Sequence, residues 1–216
     1  MYTTVYLIRH SIPFKEHRGL ELIDDDILTW NMKSPLSIKG EEKAKEYFKK
    51  EEFNNIDVVW SSSYVRAMST AKYLAYYNDV KVNVSSVFNE RIHGINNWSE
   101  LPSDFEKKQF EDKDFKVGYG ESRREVTVRM LDGLNKVLDE YKGKNIAIVG
   151  HASSFAFLLS NWCDINYTGQ CQYRFKEKVI FEGFWNYLET FKLVFDENNK
   201  IISIKNLYHN YVSEIK

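Results

Sequence analysis

"TTVYLIRHS", residues 3–11, decides the architecture. Through Arg9 the run alternates and is rich in β-branched side chains, as a strand is, and it then breaks into Arg9-His10-Ser11. "KNIAIVGH" (144–151) repeats the plan, an apolar strand that ends in Gly150 and His151. "IDVVWSS" (56–62) is a third such run, short and continuous as fully buried strands are. Each strand delivers polar residues at its carboxyl end.

The segments between them read as helices. "PLSIKGEEKAKEYFKKEEF" (35–53) opens on Pro35 with Ser37 as N-cap and puts Ala44, Tyr47 and Phe48 on one face. "SYVRAMSTAKYLAYY" (63–77) aligns Val65, Met68, Ala71, Leu74 and Ala75. "SRREVTVRMLDGLNKVLDEYKG" (122–143) aligns Val126, Met130, Leu134, Val137 and Leu138, with Gly143 as terminator. A further strand is expected at 80–87, a short helix at 103–111 and an apolar helix at 153–163. Near the C-terminus, alternation on both sides of "ENNK" predicts a β-hairpin over 186–207. Strands alternating with helices predict an α/β three-layer sandwich. Its central sheet is mostly parallel and flanked by helices, and the C-terminal antiparallel hairpin lies at one edge. We expect a single domain over 1–216, with irregular insertions near 11–34, 88–122 and 164–186 shaping a pocket.

Composition sets the outer limits. The 216 residues are 43% hydrophobic and 15% aromatic, enough for a packed core and unlike a disordered chain. Lys and Arg total 30 against 31 Asp and Glu, so nothing in the balance points to nucleic acid or an anionic membrane. Cys163 and Cys171 lack disulfide-scaffold density and metal-site spacing, and are expected as reduced thiols. The N-terminus has neither a basic leader nor a long apolar segment, so a cytoplasmic location is expected.

In open α/β sheets, ligands bind beyond the carboxyl ends of the strands. The residues delivered there are Arg9-His10-Ser11, the triple Ser61-Ser62-Ser63 with Arg66 one turn later, and Gly150-His151-Ala152-Ser153. One strand-end histidine is commonly structural; two at equivalent strand ends, with two arginines, point to a shared site. Phosphoryl transfer uses such a set. Arginine forks match phosphoryl oxygens and keep their charge, and a neutral imidazole attacks phosphorus in line. A second, protonated histidine adds a donor, and a separate acid must protonate the leaving alcohol. With that charge already neutralised, the chemistry needs no metal or other cofactor.

In these blocks the sequence resembles the histidine phosphatase superfamily, the phosphoglycerate mutase-like proteins, along nearly its whole length. "LIRHS" resembles the strand-end Arg-His-Gly signature, and "PLSIKGEEKA" the Pro-Leu-Thr-x-x-Gly helix start. "WSSSYVRAMSTA" is similar to the Ser-x-x-x-Arg-Ala-x-x-Thr-Ala block, and "IAIVGHASSFAFLL" to the strand and helix around the second histidine. "FNERIHG" (88–94) matches the loop that supplies the acid, and "GES" (120–122) is a further marker. The resemblance implies that His10 is the nucleophile that becomes phosphohistidine and that Arg9, Arg66 and His151 bind the phosphoryl oxygens. It implies that Glu90 protonates the leaving group and then activates water. Ser122 reads as a helix cap, Gly120 as a turn residue and Glu121 as the start of the helix.

There are departures. Ser11 and Ala152 replace the usual glycines, and the Ser11 hydroxyl could face the phosphate. The family's downstream Ser/Thr and Asn ligands are missing from Ile12-Pro13-Phe14-Lys15-Glu16, which argues against a mutase. Ser11, Lys15 and His93 are the candidate substrate contacts, His93 through its closeness to Glu90; His17 and Arg18 are weaker ones. Asp24-Asp25-Asp26 reads as a solvated charge run in a loop, and His93 and His209 have no partner at metal-ligand spacing. Trp60 and Trp98 read as core or pocket wall, and no nucleotide-binding glycine loop is present. The expected partner is a small phosphorylated metabolite, hydrolysed as a phosphomonoester. Two alternatives remain: a phosphoglycerate-type mutase, and a non-catalytic scaffold that senses a phosphometabolite.

Overall fold

The computed structural model describes residues 1–14 and 27–207. Lys15, His17, Arg18, Asp24 to Asp26 and His209 lie outside the described residues. Six strands form the main sheet: β1 (Thr3–Arg9), β2 (Val58–Ser61), β3 (Val82–Val84), β4 (Asn145–Gly150), β8 (Thr190–Phe195) and β9 (Ile201–Asn206). Their order is β3-β2-β4-β1-β8-β9. The first four are parallel, whereas β8 and β9 are antiparallel and form the expected edge hairpin.

The central strands are apolar on both faces because helices cover both. Val5 and Leu7 pack with Ile146 and Ile148 against α5 (Arg123–Glu140) and α6 (Ala152–Leu159). Tyr6 and Ile8 point the other way, with Ala147 and Val149, against α2 (Ile38–Tyr47) and α3 (Val65–Asn78). This is the two-residue strand period, with a core on each side of the sheet. α5 buries all five residues assigned to its inner face, and Ser122 caps it through a reciprocal capping box with Glu125.

Several boundaries differ from expectation. The inner face of α3 is rotated: Ala67, Thr70, Ala71, Leu74 and Ala75 are buried, while Val65 and Met68 lie at its margin. α2 ends at Tyr47 and is succeeded by a 3-10 turn at Glu51–Phe53. The strand expected over 80–87 shortens to β3, because Ser85 caps a 3-10 turn at Ser86–Phe88. Glu121 precedes α5 instead of opening it. Two further helices are α1 (Ile27–Lys33), which no local pattern predicts, and α4 (Phe105–Glu111). Residues 164–183 are not irregular. They form a second, antiparallel sheet of β5 (Asp164–Tyr167), β6 (Cys171–Phe175) and β7 (Lys178–Gly183). Cys163 and Cys171 are unbridged, and no described helix is long and apolar enough to cross a membrane.

Candidate active site

Strand order brings the predicted residues together. Because β4 lies between β2 and β1, three carboxyl ends sit side by side. Arg9 is in register with Gly150, the His10 N–H donates to the Gly150 carbonyl at 2.9 Å, and the Ser62 N–H donates to Val149 at 2.9 Å. The His10 and His151 rings meet edge to face, 5.1 Å between centroids. Two histidines far apart in the sequence thus share one site.

Arg66, in the first turn of α3, joins them. Its Nε donates to His10 Nε2 at 3.0 Å, its Nη2 lies 3.2 Å from His151 Nδ1, and its Nη1 donates to the Asn31 carbonyl on α1. These contacts assign both tautomers. His10 Nδ1 is 2.7 Å from the Ser11 carbonyl, which can only accept, so Nδ1 carries the proton and Nε2 keeps its lone pair. His151 accepts from Arg66 at Nδ1, so Nε2–H donates to Ser62 Oγ at 2.7 Å. Burial holds the pKa of both imidazoles well below the ordinary histidine value, and the neighbouring Arg66 guanidinium adds to the effect. Both rings are neutral in this setting, before any anion stands beside them.

Arg9 takes a different setting. Its Nη1 donates to the Trp185 carbonyl, its guanidinium lies 4.4 Å from the Tyr187 ring centre, and its buried Nε has no hydrogen-bond partner among the described residues. Glu90 lies in the loop after the Ser86–Phe88 turn. Its Oε1 accepts from the Ser154 N–H at 3.0 Å and from Ser154 Oγ at 3.2 Å, and Oε2 receives the Ser153 N–H at 3.4 Å. The carboxylate therefore sits on the N-terminal turn of α6, where free amides point outward.

Arg9, His10, Arg66, Glu90 and His93 line one open cleft of ≈ 500 Å³, with Trp98 and Tyr187 on its wall. The His93 ring in that lining packs 5.1 Å from the Trp98 ring. Ser11 does not fit the expectation. It is fully buried, and its hydroxyl donates to the Gly40 carbonyl at 2.8 Å, away from the cleft. Gly40 is needed at that contact, since a Cβ there would stand 2.1 Å from the Ile12 carbonyl oxygen. A second cavity of ≈ 330 Å³ shares Arg9 with the cleft and has several aromatic residues in its lining, including Phe110, Tyr167 and Trp185.

Other supporting residues carry weaker sequence signals. Ser62 belongs to the strand-end serine triple, which marks the position without a role. Thr70 Oγ1 accepts from the Ser11 N–H at 3.0 Å and donates to the Arg66 carbonyl at 2.8 Å, which ties the His10 loop to α3. Asn89 Oδ1 accepts from both the N–H and the hydroxyl of Ser63. Asn31 comes from a segment with no local motif, and Tyr187 from the start of the predicted hairpin, where nothing marks it for a site.

Comparison with known proteins agrees with this geometry. The family model of the histidine phosphatase superfamily (branch 1) matches residues 5–176. Uncharacterized phosphatase PhoE of Bacillus subtilis is 28% identical over 126 residues, 58% of this chain and 63% of the relative, so the match spans less than two thirds of that protein. Mycobacterial glucosyl-3-phosphoglycerate phosphatase superposes with a TM-score of 0.68 at 15% identity, covering 96% of this chain and 98% of that one. Phosphoserine phosphatase from Entamoeba histolytica, in complex with 3-phosphoglyceric acid, gives 0.65 at 17% identity, with 96% and 98% covered. At these identities the two solved structures speak for the fold. With the family model spanning most of its length, and both histidines standing at adjoining ends of the same sheet, this chain belongs to the histidine phosphatase superfamily.

Proposed function

We propose that the protein is a phosphomonoesterase that hydrolyses a small phosphorylated metabolite through a phosphohistidine at His10. One observation carries the reading: the Arg66 guanidinium, which lines an open cleft with His10, donates to the unprotonated His10 Nε2 and also holds the buried His151 Nδ1. Further support comes from Arg9 Nε, a buried donor without a partner among the described residues, which a phosphoryl oxygen would satisfy.

The reaction runs in two steps. An entering phosphate monoester draws Arg66 and Arg9 onto its oxygens and releases His10 Nε2. That lone pair attacks phosphorus while the ester P–O bond breaks, and protonated Glu90 gives its proton to the leaving oxygen. In the second step Glu90 takes a proton from water, the water oxygen attacks phosphorus, and the N–P bond breaks to release inorganic phosphate and neutral His10. Glu90 ends protonated, ready for the next cycle. The anion also favours a proton on His151, which then donates to the transferring group. Water is the favoured acceptor because Ile12-Pro13-Phe14 offers no hydroxyl or amide side chain with which to retain a departing product.

The test is a coupled assay of phosphate release and isomerisation over a panel of sugar phosphates, phosphoglycerates and phosphoserine. Phosphate release without isomerisation is expected. Isomerisation outpacing release would establish a mutase, and phosphate binding without turnover of any ester would establish a sensor.

A further inference from the structure

We infer that Arg129 and Glu121 are positioning residues for Glu90, a proposal that rests on the acid–base role just assigned to that carboxylate. Residues 89–97 have no regular secondary structure, so the segment carrying Glu90 must satisfy its backbone groups elsewhere. Arg129, on α5, supplies the donors. Its Nη1 donates to the carbonyls of Val87 at 2.8 Å and Asn89 at 3.1 Å, and its Nη2 reaches the Glu90 carbonyl at 3.4 Å.

Glu121 fixes that guanidinium and grips the same segment from the other side. Arg129 Nε and Nη2 donate to its two carboxylate oxygens at 2.6 and 2.8 Å, a bidentate pair. Oε2 of Glu121 also accepts from the Ile92 N–H at 3.0 Å, while the Glu121 N–H donates to the Ile92 carbonyl at 2.9 Å. Close approach of the two strips of backbone depends on Gly120, where a Cβ would stand 2.7 Å from the His93 carbonyl oxygen. The "GES" motif thus has a purpose that a turn and a cap do not exhaust.

One ion pair therefore holds the backbone around Glu90, while Ser153 and Ser154 hold its carboxylate. Neither Arg129 nor Glu121 lines the cleft, and neither bonds to His10, Arg66 or His151. Arg129 reaches His151 only through its charge, the smallest of the influences on that ring, so loss of the clamp should degrade proton transfer far more than phosphoryl binding. A misplacement of about 1 Å in a catalytic group costs on the order of 100-fold.

The experiment compares kcat/KM, which reports phosphorylation of the enzyme, for p-nitrophenyl phosphate and for an alkyl phosphate such as glycerol phosphate. The nitrophenolate leaves without needing a proton; the alkoxide does not. Arg129→Met should lose about 10- to 100-fold on the alkyl ester and about 2-fold or less on the aryl ester. Arg129→Lys should restore part of the alkyl rate, and Glu90→Gln should show the same selectivity with no further loss when combined with Arg129→Met. Equal losses on both esters from Arg129→Met or Arg129→Lys, beside a selective Glu90→Gln, would overturn the clamp alone. A Glu90→Gln variant that loses equally on both esters would instead overturn the acid assignment, and the clamp with it. Should Arg129→Met fail to fold, Arg129→Lys and Glu121→Gln carry the same comparison.

Discussion

The floor of the cleft and its rim are built differently. The floor hangs on the sheet: His10, Ser62 and His151 come directly after three neighbouring strands, and backbone bonds between those strands fix their spacing. The rim has no such lattice. Asn31 comes from a seven-residue helix, Trp98 from a 3-10 turn and Tyr187 from the connection into β8. Trp98 is 53% exposed, whereas His151 is fully buried. The contrast separates two tasks. A buried floor anchored on the sheet suits phosphoryl chemistry, which is common to any ester; a rim of partly exposed aromatic side chains suits the variable alcohol.

Substitutions can break or sharpen that division. Arg66→Ala, at the floor, should lower kcat/KM by about 3–4 kcal/mol of transition-state stabilisation, and by a similar factor for every ester in a panel. Steady-state kinetics checks this, and a loss confined to some substrates would erase the division. The next effect in size concerns acid stability. Both histidines have folded-state pKa values well below their unfolded value, through burial and then Arg66. Below about pH 6.5 the unfolded chain binds protons that the folded floor refuses, so stability is full above that pH and falls as the pH drops. Each group contributes up to about 1.4 kcal/mol per pH unit. Urea unfolding at pH 7 and pH 5.5 should show the loss, and vanadate should flatten it by giving the imidazolium rings a counter-charge. At the rim, Trp98→Ala should act most weakly, moving KM by about 0.5–1.5 kcal/mol for bulky esters while kcat on p-nitrophenyl phosphate stays within about 2-fold.

The same contrast governs how much the sequence discloses. The floor is legible because strands buried on both faces are uninterrupted apolar runs, and the residues just past their ends are conspicuously polar. Hence β1, β2 and β4, α5 with its capping serine, and the His10, Arg66 and His151 set emerge from residue order, whereas the role of Glu90 is reached through the family resemblance of its loop. Ser11 misleads: its position beside His10 suggests a phosphate contact, yet the near approach of Gly40 gives its hydroxyl a carbonyl inside the fold. The antiparallel sheet at 164–183 is hidden for a physical reason. β5 and β7 are largely exposed, β6 carries a bulge after Tyr173, and the β6–β7 turn uses Lys176 and Glu177. Both turn residues adopt positive φ, at 48° and 65°, where a hairpin normally announces itself with Asn or Gly. α1 is similarly silent, with no acidic residue in its first turn and no buried residue. It is placed by a tertiary contact, the Asn31 carbonyl on Arg66.

The nucleophile assignment is reached most directly by trapping. Enzyme mixed with radiolabelled phosphomonoester, quenched within one turnover and digested under alkaline conditions should yield a single labelled peptide, with the phosphoryl group on His10. The label should be stable to alkali and lost in acid, and absent from His10→Ala. Label on any other residue, or unchanged turnover by His10→Ala, would contradict the account.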